Sequence, residues 1–353
     1  MNGAPAQIRI GSTLIGAGNP VWIVAEAGVN HNGDPELAQD LVREAKRAGA
    51  DCVKFQTFSA SRVASAGAAK APYQLRSTDA GESQLEMLQK LELDEAALDA
   101  LVGLCREEGI EFLSTPYSVD DVELLESLGA RAYKIASALI VEPDLLRRIG
   151  ATRKPVLLST GLATLAEVEE SAAVLRDAGN KELVVLQCTT DYPAPPAEAN
   201  LRAMQTMASA VGALPGYSDH TETSLVAIAA VALGAVVVEK HLTLDRSLPG
   251  PDQGTSASPS EFRELVRAIR VTEAALGDGR KEPGPSERRN LESMRRSLVA
   301  TRTIEAGTEL GVDMLTAKRP AGGIPPRDLE GIVGRLLKVT IVADQPIEWW
   351  MLE

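Results

Sequence analysis

Residues 225–241 read LVAIAAVALGAVVVEKH. The apolar run from Leu225 to Val238 is broken only by Gly234 and falls short of the roughly 20 residues a membrane-spanning helix needs. It divides instead into a buried helix, Gly234 as that helix's C-terminal cap, and a strand apolar on both faces. The strand then turns polar at Glu239 and His241. A helix, a glycine stop, a two-sided apolar strand and a polar strand end make one unit of a parallel α/β fold.

Working outward, the unit recurs. Strands are expected at 21–26, 51–56, 110–115, 132–136, 155–159, 183–188, 214–218 and 235–241. Amphipathic helices are expected at 35–48, 94–108, 119–128, 143–149, 165–178, 201–211, 222–233 and 260–275. Asp34 caps a helix that opens on Pro35, and Gly49, Gly109, Gly129, Gly179 and Gly234 fall where helices must stop. Eight successive βα units with strands apolar on both faces predict an α/β chain folded as a (β/α)8 TIM barrel, with a doubly wound open sheet as the competing architecture. Residues 8–15 read as a short hairpin plugging the barrel's bottom.

After Gly277 the character changes. Residues 278–285 form a polar linker leading into a short basic helix at 286–294. Short strands and turns follow at 297–301, 305–307, 315–318 and 331–342, a small β-rich domain. The expected division is a barrel at 1–280, a linker and helix at 281–294, and the small domain at 295–353.

The formal net charge of -13 would repel nucleic acid and anionic membrane at long range, so neither is an expected partner. Three widely spaced cysteines (Cys52, Cys105, Cys188) and an N-terminus without a signal pattern predict a reducing, cytoplasmic setting.

Barrel chemistry gathers at the C-terminal strand ends. Here those ends carry Glu26; Lys54 and Gln56; Thr115; Lys134 and Ser137; Ser159; Thr189 and Tyr192; Ser218 and His220; Glu239 and His241. One buried lysine or glutamate reads equally well as a satisfied core ion pair, but eight strands that all end this way read as an active site, because buried charge is costly. Lys54 and Lys134 with Thr115, Ser137, Ser159 and Ser218 suit a phosphate and a carboxylate. His220 and His241, from neighbouring strands, suit one divalent metal, and Glu26 and Glu239 suit proton transfer. His31, in the loop Asn30-His31-Asn32-Gly33-Asp34, is assigned to loop structure.

The stretch Ile23-Val24-Ala25-Glu26-Ala27-Gly28-Val29-Asn30-His31-Asn32-Gly33-Asp34 closely resembles the opening signature of the sialic acid synthase family. So do Val53-Lys54-Phe55-Gln56-Thr57-Phe58, Phe112-Leu113-Ser114-Thr115-Pro116, Tyr133-Lys134-Ile135-Ala136-Ser137 and Leu158-Ser159-Thr160-Gly161. Further along come Gly216-Tyr217-Ser218-Asp219-His220-Thr221, Val238-Glu239-Lys240-His241 and Gly250-Pro251-Asp252. Lys318-Arg319-Pro320 followed by Gly323-Ile324 looks like the antifreeze-like (SAF) domain that closes these synthases.

The resemblance implies a TIM-barrel synthase with a C-terminal SAF domain, working as a homodimer with swapped C-terminal domains. It implies phosphoenolpyruvate binding by Lys54, Thr115, Lys134, Ser137, Ser159 and Ser218. His220 and His241 match metal ligands, usually for Mn²⁺, with Mg²⁺ or Co²⁺ as replacements. Glu26, Gln56, Tyr192, Glu239 and Asp252 match residues around the sugar and the reacting carbons. Arg319 matches an arginine that reaches the N-acyl group from the partner's small domain. The implied reaction is attack of phosphoenolpyruvate C3 on the aldehyde of an open-chain N-acyl amino sugar, activated by Lewis acidity. Water then adds at C2 and phosphate leaves by C–O cleavage.

Thr190 departs from the Asn or Ser common in N-acetylneuraminate synthases, and Gln187 and Gln253 stand where many members carry His. The acceptor is therefore open between N-acetylmannosamine and a 2,4-diacetamido-trideoxyhexose that leads to a legionaminic- or pseudaminic-type acid. Two other readings remain. One is a phosphoenolpyruvate-dependent 3-deoxy-sugar-phosphate synthase; the other is a non-catalytic sugar-binding or assembly protein.

Overall fold

Alternation along the apolar runs sorts their side chains into two layers. The computed structural model describes residues 7–79 and 81–353. Ten strands belong to the N-terminal part: β1 Gln7–Ile10, β2 Thr13–Gly16, β3 Trp22–Gly28, β4 Cys52–Thr57, β5 Glu111–Pro116, β6 Tyr133–Ile135, β7 Val156–Ser159, β8 Leu183–Cys188, β9 Leu214–Asp219 and β10 Val237–His241. On β3, Ile23, Ala25 and Ala27 join the layer packed under the helices, whereas Trp22 and Val24 join a second cluster with Leu113, Leu157, Leu186 and Val237. Two-sided burial of this kind is what parallel strands sheathed in helices require.

The eight strands β3–β10 pair in the order β5-β4-β3-β10-β9-β8-β7-β6, all parallel. Because β3 pairs with β10, the sheet curls into a nearly closed barrel, and the open doubly wound sheet is excluded. Its seam falls between β5 and β6, the two ends of the pairing order. The β1–β2 hairpin is antiparallel, and its Ile8, Ile10 and Ile15 are buried in the same inner cluster as Trp22 and Val24. That places the hairpin at the N-terminal end of the barrel.

Helix boundaries follow the capping chemistry. The helix Pro35–Ala48 starts on Asp34, whose carboxylate accepts from the Glu36 N–H, and ends at Gly49 with φ 88. The run 225–238 resolves into the helix Leu225–Ala232, a stop at Gly234 and strand β10. This helix is less buried than its composition suggests: Ala227, Ala230 and Val231 face inward, but Leu225 is 71% exposed. The irregular region between β4 and the helix Glu95–Glu108 holds three short helices, Ala60–Val63, Gln74–Ser77 and Gln84–Gln89, that periodicity did not reveal.

The chain divides into two units, Met1–Gly277 and Asp278–Glu353. The second opens with the helix Pro285–Met294, which buries none of its residues. Strands β11 Ser297–Ala300 and β12 Leu315–Lys318 pair antiparallel over a core that includes Leu298, Ile304, Ile324, Ile332 and Ile347. Residues 331–342 form no regular strand; they contribute isolated bridges such as Ile304–Ile341 and Glu309–Leu336. No helix among the described residues is long and apolar enough to cross a membrane.

One ion pair lies on the outer side of the strands. Lys240, on β10, donates to Asp219 of β9 at 2.8 Å and to the Thr221 carbonyl at 2.8 Å, and both ionic residues are buried. Lys240→Met leaves Asp219 buried without its counter-ion and should lower unfolding stability by about 3–5 kcal/mol. Urea denaturation would measure this, and adding Asp219→Asn should recover part of the loss.

Candidate active site

Register brings the charged strand ends together. β3 and β4 pair Glu26 with Lys54, and Lys54 Nζ stands 2.8 Å from Glu26 Oε2. Glu239, on β10, approaches from the other side: its Oε1 lies 3.5 Å from Lys54 Nζ and 3.5 Å from Lys134 Nζ. The same oxygen accepts a 3.0 Å hydrogen bond from Ser218 Oγ. All four ionisable side chains are buried.

Burial opposes charge on each of them, and the neighbours decide the outcome. For Glu239 the desolvation is outweighed by Lys134 and Lys54, which hold it at about 2. Glu26 is pushed up by burial despite Lys54, with Glu239 adding to the rise. Burial pushes Lys134 down, whereas Lys54 rises against the same penalty because it faces both Glu239 and Glu26. The site thus holds one firmly ionised carboxylate and one carboxyl primed to keep a proton.

Hydroxyls surround this cluster. Thr115 Oγ1 lies 3.5 Å from Lys54 Nζ, and Ser137 Oγ accepts from the Gly161 N–H at 3.0 Å. A Cβ on Gly161 would meet Thr190 Oγ1 at 2.2 Å and Ser137 Oγ at 2.9 Å, so only glycine lets these groups converge. Gln56 Nε2 donates to Glu26 Oε1 at 3.2 Å. Ser159 Oγ, Thr190 Oγ1, Glu239 Oε2 and His241 Nδ1 are buried with no hydrogen-bond partner among the described residues. Buried polar atoms are almost always paired, so four orphans around one cavity mark a place built for a ligand.

The two imidazoles form one wall, their ring centroids 5.3 Å apart. His220 Nδ1 lies 2.7 Å from the Thr189 carbonyl, which can only accept; a proton is therefore on Nδ1, and Nε2 is the nitrogen left for another partner. Burial opposes charge on this ring, but Cys188 and the Thr189 carbonyl raise it above the ordinary histidine range. Burial holds His241 neutral, well below the ordinary histidine range. Its Nδ1 sits 3.9 Å from Asp252 Oδ2, and burial pushes Asp252 up to about 6, with Glu26 contributing. Tyr192 lies 4.2 Å from the His220 ring and meets His241 edge-on at 5.5 Å. A divalent metal fits this wall: His241 offers an orphaned buried nitrogen, and His220 keeps Nε2 outside its bond to Thr189. Among the described residues no set of three His, Cys, Asp or Glu stands ready to hold a metal. Two imidazoles would leave most coordination positions to water and substrate, which is the pattern of a catalytic rather than a structural site.

These groups line one cavity of about 290 Å³ at the C-terminal ends of the strands. Every strand-end or substrate-side residue assigned to the site from the sequence lines it except Thr189, whose Oγ1 donates to the Glu198 carbonyl at 3.1 Å, and Arg319. Arg319 belongs to the second unit, where it is exposed and its Nε donates to the Met294 carbonyl at 3.1 Å.

The cavity also holds groups that the sequence reading passed over. Tyr117, directly after the Thr115-Pro116 strand end, donates to Gln56 Oε1 at 3.2 Å. Cys188 Sγ lies 3.7 Å from Ser137 Oγ and 3.8 Å from His220 Nδ1. Both sit at strand ends, where the strand-end rule would have found them. Tyr73, 4.7 Å from Tyr192, comes from the irregular region after β4 and had no such signal. Gln187 and Gln253, in contrast, do not line the cavity. Gln187 Nε2 donates to the Ala199 carbonyl at 3.0 Å, and Gln253 Nε2 donates to the Asn30 carbonyl at 2.8 Å. They tether loops, so of the three departures only Thr190 faces the ligand space.

The model of the NeuB family matches residues 41–281, and that of the SAF domain matches residues 295–353. The chain is 45% identical, over 92% of its length and 98% of the relative's, to N,N'-diacetyllegionaminic acid synthase of Campylobacter jejuni. It is 40% identical to the Legionella pneumophila protein of the same name, over 96% of each chain. Among solved structures, the N-acetylneuraminic acid (sialic acid) synthetase of Leptospira borgpetersenii superposes with a TM-score of 0.73 at 32% identity, covering 83% of this chain and 97% of that one.

His31, assigned to loop structure, bears on stability. It is buried, its Nδ1 accepts from the Gly33 N–H at 3.0 Å, and burial pushes it down to about 4. The unfolded chain therefore takes up a proton near pH 6.5 that the folded chain refuses until about pH 4. Stability should fall across that window by about 3 kcal/mol through this group alone. Asp252, raised when folded, acts in the opposite sense. The check is thus the difference in urea midpoint between the native chain and His31→Asn, followed from pH 7 to pH 4.

Proposed function

Since the chain belongs to the NeuB family, we propose that it is a nonulosonate synthase, joining phosphoenolpyruvate to an open-chain N-acyl amino sugar with release of phosphate. We take the acceptor to be a 2,4-diacetamido-2,4,6-trideoxyhexose, giving a legionaminic-type acid. The observation that carries the reaction is the buried Glu26–Lys54–Glu239–Lys134 cluster in one cavity with the imidazoles of His220 and His241. The relatives' names support the acceptor. Among the described residues no arginine lines the cavity and its lysines are Lys54 and Lys134, so a sugar phosphate would lack a second cationic cluster.

Lys54 and Lys134, with Thr115, Ser137, Ser159 and Ser218, hold the phosphate and carboxylate of phosphoenolpyruvate. An anionic ligand stabilises the Lys134 charge against the burial that disfavours it. His220 and His241 hold a divalent ion, Mn²⁺ with Mg²⁺ or Co²⁺ as substitutes, which supplies Lewis acidity at the sugar's aldehyde. A bond forms between phosphoenolpyruvate C3 and the aldehyde carbon, whose oxygen takes the proton of Glu26 and leaves that side chain a carboxylate. Cationic character at C2 is met by water, which gives its proton to Glu26 while ionised Glu239 steadies the positive charge. The C2–O bond to phosphorus then breaks, leaving a ketone and inorganic phosphate. Gln56, Thr190, Tyr192 and Asp252 orient the sugar, and catalysis is chiefly positioning and electrostatic stabilisation.

Arg319 completes the site from a second copy, in a homodimer with exchanged C-terminal domains. Three free buried thiols support a cytoplasmic setting.

Metal-stripped protein given phosphoenolpyruvate, Mn²⁺ and a panel of amino sugars should release phosphate with the diacetamido sugar. Lys134→Ala or His220→Ala should reduce release by at least about 10³-fold. Bridging ¹⁸O from phosphoenolpyruvate should appear in the phosphate; its retention in the organic product would reject C–O cleavage. Mixing Lys134→Ala with Arg319→Ala protein should restore activity, since the mixed dimer has one site with both native residues. No restoration would place Arg319 and Lys134 of one chain in the same site, and Arg319→Ala protein that is active by itself would place Arg319 outside it.

A further inference from the structure

Residues 58–94, between β4 and the helix Glu95–Glu108, form the longest of the barrel's strand-to-helix connections. This connection is not a loose loop. Buried Lys70 gathers it, donating to Thr78 Oγ1 at 3.0 Å, the Asp79 carbonyl at 2.7 Å and Glu82 Oε1 at 2.8 Å. Ser77 Oγ ties it to the Pro251 carbonyl, at 3.2 Å, beside Asp252. It carries an apolar cluster separate from the barrel core, in which Phe58, Met87 and Leu91 are buried and Leu88 packs against them. Those four side chains face the cavity together with Gln74 and Gln84, whose side-chain amides are joined at 3.3 Å.

We propose that this face is a subsite for the far end of the acceptor, carbons four to six, and that it selects a second N-acyl group and a methyl terminus over hydroxyls. The assignment rests on the synthase reading above. Phosphoenolpyruvate occupies the cationic floor and the aldehyde lies at the imidazole wall, which leaves this apolar wall for the remainder of the sugar chain. Carboxamides match the N–H and C=O of an acylamino group, while Met87, Leu88 and Leu91 match its methyl and the deoxygenated carbon. A hydroxyl placed there would give up water for thioether and hydrocarbon, which offer no comparable hydrogen bond.

The test compares kcat/KM for the 2,4-diacetamido-2,4,6-trideoxyhexose with that for N-acetylmannosamine. The native enzyme should prefer the former by roughly 100-fold or more. Met87→Gln and Leu88→Asn should each cut that preference by about 10-fold or more, through the KM of the trideoxy sugar. The KM for phosphoenolpyruvate should stay unchanged, and Met87→Leu should keep the preference. Equal loss with both sugars, an unmoved ratio, or a native enzyme that favours N-acetylmannosamine would overturn the subsite and leave the synthase reading standing. Absence of turnover with every amino sugar would instead remove the synthase reading on which it rests.

Discussion

Four charges buried at the top of a barrel would unfold a small protein if they were not mutually arranged. Glu26, Lys54, Glu239 and Lys134 remain there because register sets Lys54 beside Glu26, Glu239 meets both lysines across the barrel, and Ser218 satisfies one of the shared oxygens. Stripping one member exposes another to an environment where an unpaired ion costs several kcal/mol. The barrel beneath must therefore be rigid and well packed, and its inner layer of Trp22, Val24, Leu113, Leu157 and Leu186 supplies that packing. The cluster also explains how one small space can keep Glu239 ionised while Glu26 leans towards its acid form: Glu239 faces two lysines, Glu26 chiefly one.

Much of this was legible in the sequence, and for a physical reason. Strands buried on both faces leave no ambiguity about where polar residues belong, so Lys54, Lys134, Glu239 and His241 stood out against valines and leucines. Glycine stops such as Gly49 fixed helix ends to within a residue or two. What stayed hidden lacked a period. The short helices of 60–89 hold together through Lys70 and Glu82, a contact between residues with no helical or strand spacing. Gln253 and Gln187 looked like sugar contacts by position, yet their amides turn to backbone carbonyls; a side chain's direction in a loop is decided by such local partners. In the second unit, residues 331–342 alternate like a strand but make only isolated bridges. Its compactness comes from a core of isoleucines and leucines rather than from ladders.

The site divides the work between kinds of structure. Groups on the cationic floor are fixed by strand ends and cannot move without disturbing the barrel. The facing wall is carried on a connection with its own small core and its own internal ion pair. On the proposed reading, electrostatics and recognition are thus carried by separate elements that face each other across the cavity.

The β1–β2 hairpin has a kinetic consequence. With Ile8, Ile10 and Ile15 added beneath an inner layer of Trp22, Val24, Leu113, Leu157 and Leu186, the barrel below the cavity is solid and its contents exchange through the mouth above. A ligand on the floor lies behind a ligand at the rim. On the proposed reading, phosphoenolpyruvate must arrive before the sugar, and inorganic phosphate must wait below until the larger product has gone. A filled barrel interior, closed below by three isoleucines, would then impose a compulsory sequence of arrivals and departures on the catalytic cycle.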